Sequence, residues 1–226
     1  LVTLLYGVFP KKDVITRAVR LQNEGQELLT LESVQSASLD LIYGDYDWIQ
    51  FYGRHAMERN VQRIPAAHGA HVIGSRRGTS SHQYNPFVIL AEKETTEDFG
   101  ACYGMSFVYS GGFQAFAERD QYDQTRMGMG ISPEGFSWSL KPGESFTAPE
   151  VILSYTGKGL GELSRQYHRI LRHNVCRGMY KEVRRPILIN NWEATYFDFN
   201  GNKIYEIAKQ AAELGVEMLV LDDGWF

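Results

Sequence analysis

The first two thirds of the chain has the hydrophobic pattern of β-structure. From Leu1 to Tyr155, short apolar or alternating stretches are separated by turn residues, and helical spacing is absent. Ser33–Tyr43 alternates polar and apolar residues as a half-buried strand does, and Phe87–Ala91 is a compact apolar strand. Many short strands separated by turns predict an antiparallel β-sandwich.

Three segments of this region carry more specific predictions. Gly100–Ser110 and Phe113–Glu118, joined by Gly111-Gly112, predict a hairpin with a glycine turn. Phe146–Leu153 predicts a strand that is interrupted by a proline. Gly44–Arg63 has three acids, three arginines and four aromatic residues in twenty positions, without a clear strand or helix period. This segment is predicted to be a long loop, either solvated or in contact with a partner.

The pattern changes after Gly157. An amphipathic helix is predicted, and its apolar face consists of Leu160, Leu163, Tyr167, Ile170 and Leu171. Pro186–Asn190 is a short apolar strand, and the following helix is capped by Asn202 and ends before Gly215. Met218–Leu221 is a second apolar strand. Strand, helix and strand in this order predict a βαβ unit with two parallel strands.

Polar and aromatic residues follow both of these strands. Asn191, Trp192 and Glu193 follow the first, whereas Asp222 and Asp223 follow the second. In parallel α/β folds, ligands bind at the carboxyl ends of the strands. The two adjacent carboxylates could bind vicinal sugar hydroxyls, could hold Mg²⁺ or Ca²⁺, or could form a turn without a ligand. The indole of Trp192 suits the apolar face of a pyranose and favours the sugar, unless it is a buried aromatic residue.

Composition excludes some partners. The net charge of −4 provides no basic surface for nucleic acid, and no apolar run reaches membrane-spanning length. The histidines have no metal-binding spacing, so neither a metal nor another cofactor is expected. Cys102 and Cys176 form no disulfide framework and favour a reducing, cytoplasmic compartment. The chain lacks a starting Met and reads as part of a longer polypeptide.

Several motifs resemble one known family. Arg185–Thr195 (RPILINNWEAT) and Leu219–Phe226 (LVLDDGWF) resemble the first two barrel strands of the glycoside hydrolase family 36 α-galactosidases. Tyr52–Asn60 (YGRHAMERN), Ser80–Phe87 (SSHQYNPF) and Pro142–Glu150 (PGESFTAPE) resemble the N-terminal β-sandwich of that family. The resemblance covers nearly the whole chain.

The resemblance implies a multidomain α and β protein. Residues 1–156 would be an N-terminal antiparallel β-sandwich, of the supersandwich type, and residues 157–185 a linker helix. Residues 186–226 would be the first βαβ unit of a catalytic (β/α)₈ TIM barrel, which would continue in a longer chain.

The resemblance also implies site residues. Trp192 would form the hydrophobic wall of a galactose subsite, and Asp222 and Asp223 would bind the axial 4-hydroxyl and the 6-hydroxyl. Asp47 and Arg59 would reach the active site of a neighbouring subunit in a homotetramer, as part of the Gly44–Arg63 loop. The substrates would be α-galactoside oligosaccharides such as melibiose and raffinose.

The implied reaction is hydrolysis with retention of configuration, by two aspartates that lie beyond residue 226. This chain alone would then be inactive. Two alternatives stay within glycosidase chemistry: action on α-N-acetylgalactosaminides and galactosyl transfer. A non-catalytic carbohydrate-binding or oligomerisation sandwich is another alternative, and a metal-dependent phosphoryl or enolate site at the two aspartates is the last.

Overall fold

The computed structural model describes all 226 residues. The strands of its first half are β1 (Val2–Phe9), β2 (Val14–Gln22), β3 (Leu29–Leu31), β4 (Gln35–Leu41), β5 (Tyr46–Arg54), β6 (Met57–Pro65), β7 (Gly69–Gly74) and β8 (Tyr84–Glu92). The remaining strands are β9 (Cys102–Phe107), β10 (Phe113–Arg119), β11 (Thr125–Ile131), β12 (Trp138–Leu140), β13 (Ser145–Thr147), β14 (Val151–Thr156), β15 (Leu188–Asn190) and β16 (Met218–Val220). The α-helices are α1 (Gly159–Ile170), α2 (Trp192–Thr195) and α3 (Gly201–Glu213). The chain divides into two compact units, Leu1–Leu171 and Arg172–Phe226.

The first unit is an antiparallel β-sandwich, as predicted. Its larger sheet has the strand order β1-β2-β14-β9-β8-β5-β6, with β13 beside β2. Its smaller sheet has the order β10-β11-β4, and β12 pairs with β3. The predicted interruption between Phe146 and Leu153 is confirmed, because β13 ends at Thr147 and β14 begins at Val151.

The central strands of the larger sheet are buried on both faces. Trp48 of β5 lies in a hydrophobic cluster with residues of the smaller sheet, among them Phe113 and Met127. The next residue, Ile49, lies in a second cluster on the opposite face of the larger sheet. A strand that is covered on both sides loses the alternation of polar and apolar residues that marks a half-buried strand.

Helix α1 covers one of these faces. The predicted apolar face of the helix is confirmed, because Leu163, Tyr167 and Ile170 are buried in the second cluster. The hydroxyl of Tyr167 donates to Ile152 O at 3.0 Å, and a side chain at Gly104 would collide with the Tyr167 ring. The helix thus packs within the first unit. The domain boundary between residues 156 and 157, which the sequence analysis gave, stays a prediction.

The prediction of a loop over Gly44–Arg63 is wrong. The segment forms β5 and β6, an antiparallel hairpin with a register shift between Tyr52 and Arg54. The physical reason is the double burial of β5, where Trp48, Ile49 and Gln50 are all buried in succession. Without a period of two, the strand resembled irregular structure.

The predicted glycine hairpin is also wrong. β9 pairs with β8 and β14 in the larger sheet, whereas β10 pairs with β11 in the smaller one. Because β9 has a partner on each side, it has no free edge for β10. Ser110–Gly112 therefore connects two sheets.

The second unit contains the predicted βαβ arrangement. β15 and β16 are parallel, with Ile189 opposite Leu219. The cap of α3 is Asn200 and not Asn202, since the Asn200 side chain accepts a hydrogen bond from Lys203 N at 3.0 Å. The predicted helix end is confirmed: Gly215 has a φ of +86° and its N–H donates to Ala212 O at 3.0 Å.

Candidate functional site

The two parallel strands of the second unit end side by side. Asn190 is the last residue of β15 and lies opposite Val220, the last residue of β16. Asp222 follows Val220 by two positions and, because side chains alternate along an extended chain, is expected on the same face as Asn190. The predicted rim therefore exists, and both strand ends contribute polar side chains to it.

Asp222 is held from two directions. The Asn190 amide Nδ2 donates to Asp222 Oδ2 at 2.5 Å. The backbone N–H of Asp222 donates to Asn191 Oδ1 at 2.8 Å. Asn191 is fully buried, and its own Nδ2 donates to Thr195 Oγ1 at 3.0 Å. The half-buried carboxylate of Asp222 thus has a fixed position.

Asp223 is less constrained. Its backbone N–H donates to Asp222 Oδ1 at 2.7 Å, and its own Oδ1 accepts a hydrogen bond from Gly224 N at 2.8 Å. The side chain is exposed. These two bonds are those of a local turn, as one of the sequence interpretations expected. They still leave carboxylate lone pairs on both residues for hydroxyl donors.

Trp192 is linked to Asp222 through the side chain of Asn190. It is the first residue of α2, two positions beyond β15, and its side chain is half-buried. Its ring meets Tyr196 edge to face at 5.3 Å and Phe197 at 4.9 Å between centroids. The backbone N–H of Trp192 donates to Asn190 Oδ1 at 2.7 Å. Asn190 therefore contacts both Trp192 and Asp222.

The opposite end of the two strands is fixed by charge. Glu217 accepts hydrogen bonds from Arg184 Nη2 at 2.5 Å and from Ile187 N at 2.7 Å. The hydrogen bond from Arg184, supported by the backbone N–H, lowers the pKa of the Glu217 carboxyl. This pair connects the segments before β15 and β16, at the opposite end of the strands from Asn190 and Asp222.

The structure does not bring the two predicted residues of the sandwich together. Asp47 lies in β5 opposite Pro65, at the base of the hairpin, whereas Arg59 lies near its tip. Arg59 and Pro65 are separated by six positions, which correspond to about 20 Å along a strand. The two side chains therefore do not meet on one ligand within this hairpin.

Asp47 has a partner of its own. It forms an ion pair with Arg63 at 2.7 Å, and its side chain is only 14% exposed. Arg63 also donates to Thr95 O at 2.6 Å and to Lys93 O at 2.8 Å. Asp47 thus orients an arginine that joins the hairpin to the loop after β8.

Arg59 is exposed and has a φ of +55°, in the left-handed region that residues other than glycine seldom adopt. The neighbouring Glu58 accepts a hydrogen bond from Ala56 N at 2.9 Å. Backbone N–H groups, first its own and then that of Ala56, lower the pKa of Glu58. The tip is therefore an ordered turn that presents Arg59 outward.

Sequence reasoning missed Asn190 and Phe197 as parts of the site. Phe197 packs against Trp192, and a side chain at Gly224 would collide with it. The sequence feature that could have indicated Asn190 is the pair of asparagines, Asn190 and Asn191, at the end of a predicted strand. The chain contains no group of three or more His, Cys, Asp or Glu residues that could hold a metal ion. None of the helices has the length and apolar character required to cross a membrane.

Comparison with protein families places the chain in a known class. Residues 1–141 match the model of the glycosyl hydrolase family 36 N-terminal domain, and residues 145–226 match the melibiase model. Both matches identify a glycoside hydrolase. The chain belongs to glycosyl hydrolase family 36.

Individual relatives agree with this assignment. The bifunctional alpha-galactosidase/sucrose kinase AgaSK of Mediterraneibacter gnavus is 58% identical over all of this chain, which corresponds to 24% of that protein. The crystal structure of the alpha-galactosidase AgaA from Geobacillus stearothermophilus is 51% identical, with a TM-score of 0.96 over all of this chain and 31% of that chain. Variants of AgaA have been crystallised with stachyose and with raffinose. The chain thus spans between a quarter and a third of the length of these relatives.

Proposed function

We propose that the full-length protein is a retaining α-galactosidase that releases terminal α-galactose from oligosaccharides such as melibiose and raffinose. The observation that carries this proposal is the arrangement of Trp192, Asp222 and Asp223 at the ends of two parallel strands. The family membership and the α-galactosidase relatives support it. The same relatives favour an enzyme over a non-catalytic sugar-binding module.

Two kinds of contact would recognise the sugar. The indole of Trp192 would pack against the apolar C–H face of the pyranose. Asp222 and Asp223 would accept hydrogen bonds from the axial 4-hydroxyl and the 6-hydroxyl of galactose. A glucosyl ring has an equatorial 4-hydroxyl and would leave a carboxylate without its partner, which costs more than a lost contact between apolar groups.

Asp222 and Asp223 bind and do not catalyse in this proposal. In a retaining glycosidase, one carboxylate attacks the anomeric carbon while a second protonates the leaving oxygen and later activates water. We assign these two roles to aspartates of the full-length protein outside residues 1–226. The second unit would be the first βαβ part of a (β/α)₈ barrel, whose active site lies at the carboxyl ends of the strands.

The assembly and location of the protein are part of the same proposal. Arg59, at the tip of the β5–β6 hairpin, would reach the active site of a neighbouring subunit in a homotetramer, while Asp47 would support it indirectly by holding Arg63. The exposed position of Arg59 supports this assignment. Cys102 and Cys176 are free thiols, which favours a reducing cytoplasmic compartment.

The test is turnover of a nitrophenyl α-galactoside by the full-length protein. Asp223→Asn should lower kcat/KM by about 10- to 100-fold, because a hydrogen bond to a charged acceptor is replaced by one to a neutral amide. The matched control is Asp198→Asn, since the Asp198 side chain is 97% exposed and bonds only within its own loop and helix. Wild-type activity in Asp223→Asn would contradict the assigned role.

The subunit contact has a separate test. Two inactive full-length variants, one with Arg59→Ala and one without the nucleophile, should regain part of the activity when they are mixed and reassembled. Each mixed assembly would then contain sites with one intact Arg59 and one intact nucleophile. No recovery after verified exchange of subunits would leave Arg59 outside the active site.

A further inference from the structure

Asn190 occupies a position between the two kinds of sugar-binding group. Its Oδ1 accepts a hydrogen bond from Trp192 N at 2.7 Å, and its Nδ2 donates to Asp222 Oδ2 at 2.5 Å. A backbone N–H can only donate, so the amide oxygen must face Trp192 and the amide nitrogen must face Asp222. The orientation of this side chain is therefore determined by its partners.

We propose that Asn190 is a positioning residue for galactose recognition, which sets the carboxylate of Asp222 relative to the indole-bearing turn of Trp192. The inference rests on the proposed α-galactosidase function and adds a residue that does not itself bind the sugar. One neutral side chain joins the end of β15, the start of α2 and the loop after β16.

A neutral amide is chemically suited to this position. It donates one hydrogen bond to Asp222 without supplying a positive charge, so the carboxylate keeps its negative charge for hydroxyl donors. Lysine or arginine here would form an ion pair that competes with the sugar for the same oxygen atoms. Each carboxylate oxygen has two lone pairs, and Asp222 uses one of them on each oxygen within the protein.

The second asparagine fixes the backbone while the first fixes the side chain. Asn191 is fully buried and accepts a hydrogen bond from the backbone N–H of Asp222 at 2.8 Å. When Asn190 is substituted, Asn191 still holds the backbone N–H of Asp222, whereas the Asp222 carboxylate loses its contact with Nδ2 and the Trp192 N–H loses its acceptor. Substitution of Asn190 should therefore change the direction of the carboxylate and leave the fold intact.

The sharpest variant is Asn190→Asp, which keeps the shape and replaces the donor by an acceptor. Two carboxylates can keep a contact as short as that between Asn190 and Asp222 only while they share a proton, and their repulsion raises the apparent pKa of the pair. The contact would be restored at low pH and lost as the pH rises and the shared proton leaves. The other carboxylates of the site are Asp223, which bonds Gly224 N, and Glu193, which accepts from the Tyr196 hydroxyl at 3.1 Å. Both carboxylates are present in the wild type as well, so they do not account for a difference in pH dependence between the wild type and Asn190→Asp.

The experiment measures kcat, KM and their pH dependence for the full-length enzyme with a nitrophenyl α-galactoside. Asn190→Ala should lower kcat/KM by about 10- to 100-fold, mainly through a higher KM. Asn190→Asp should approach wild-type activity at the acid end of the profile and fall steadily below it as the pH rises. Asn202→Asp is the control, because Asn202 is exposed on α3, and its profile should match that of the wild type.

A purely structural role would give a different result. Loss of folded protein would lower the apparent kcat and leave KM and the shape of the pH profile unchanged. That outcome, or unchanged kinetics in both Asn190 variants, would overturn the inference while the proposed function stands. Absence of α-galactosidase activity in the wild type would overturn the proposed function and this inference with it.

Discussion

The sandwich unit and the βαβ unit are stabilised by different kinds of interaction. The sandwich contains three buried hydrophobic clusters, which cover both faces of its larger sheet. In the βαβ unit, Ala211 is the one buried hydrophobic residue, and the other buried residues are Asn191 and Thr195. Apolar side chains of β15 and β16, such as Leu188 and Val220, are exposed in this chain, which spans about a quarter to a third of the length of its relatives.

In the βαβ unit, the candidate site is organised by polar contacts. The strand ends of the βαβ unit are connected by the side chains of Asn190 and Asn191 and by backbone N–H groups. Hydrogen bonds of this kind depend on local distances and directions, whereas apolar burial needs neighbouring layers. The polar contacts at the strand ends all lie within this unit.

The largest expected effect is on the free energy of unfolding, when a buried tryptophan and an exposed one are each replaced by alanine. Trp48 is 0% exposed in the sandwich core, whereas Trp225 of the βαβ unit is 70% exposed. Trp48→Ala should lower the free energy of unfolding by about 3–5 kcal/mol, because it removes buried apolar area and leaves a cavity. Trp225→Ala should change it by less than about 0.5 kcal/mol. Urea unfolding of the 226-residue chain measures both. Equal effects would mean that the two units do not differ as described.

The two cysteines provide a second, smaller contrast. Cys102 is buried in the sandwich and Cys176 is exposed in the other unit. Burial, together with the nearby Glu92, raises the pKa of the Cys102 thiol from 9.0 to about 11. A thiol-specific reagent at pH 8 should therefore modify Cys176 at least about 100-fold faster than Cys102.

The control for this labelling is the unfolded chain in urea, where both thiols should react at similar rates. Rapid modification of Cys102 in the folded protein would show that the sandwich core opens readily. The two units would then not differ in the accessibility of their thiols.

The smallest expected effect concerns the pH dependence of the sandwich. His71 is half-buried, its Nε2 lies 2.9 Å from Gln50 Oε1, and Trp48 Nε1 donates to the same oxygen at 2.8 Å. Burial lowers the pKa of His71 below its ordinary value of 6.5. The unfolded chain therefore binds a proton at a higher pH than the folded protein does. The stability that neutral His71 contributes is complete above pH 6.5 and is lost as the pH falls through the folded pKa.

Thermal unfolding between pH 8 and pH 5 checks this expectation. The Tm of the wild type should decrease more over this range than the Tm of His71→Asn, because the asparagine side chain cannot take up a proton. Parallel curves for the two proteins would show that His71 does not contribute to the acid sensitivity of the sandwich.

The architecture could be predicted from the sequence more fully than the contacts within the candidate site. The βαβ unit and its parallel strands follow from hydrophobic pattern alone, as does the buried face of α1. The β5–β6 hairpin could not be predicted in this way, because double burial removes the alternation of β5. In the same manner, the pairing of Asp47 with Arg63 depends on the register between two strands.

Asn190 illustrates the same limit at the site. The residue type and its place at the end of a strand are visible in the sequence, but its two partners lie on separate elements. Only the parallel pairing of β15 and β16 brings Asp222 within 2.5 Å of it. Local pattern predicts elements, whereas bonds between the ends of elements require the packed structure.

The most direct measurement is a crystal structure of the full-length protein with galactose. We expect the sugar ring against the indole of Trp192, with its 4-hydroxyl and 6-hydroxyl within hydrogen-bond distance of Asp222 and Asp223. Asn190 should keep its contact with Asp222 in that complex. Galactose bound at another place, or a metal ion held between the two aspartates, would contradict the assignment of this site.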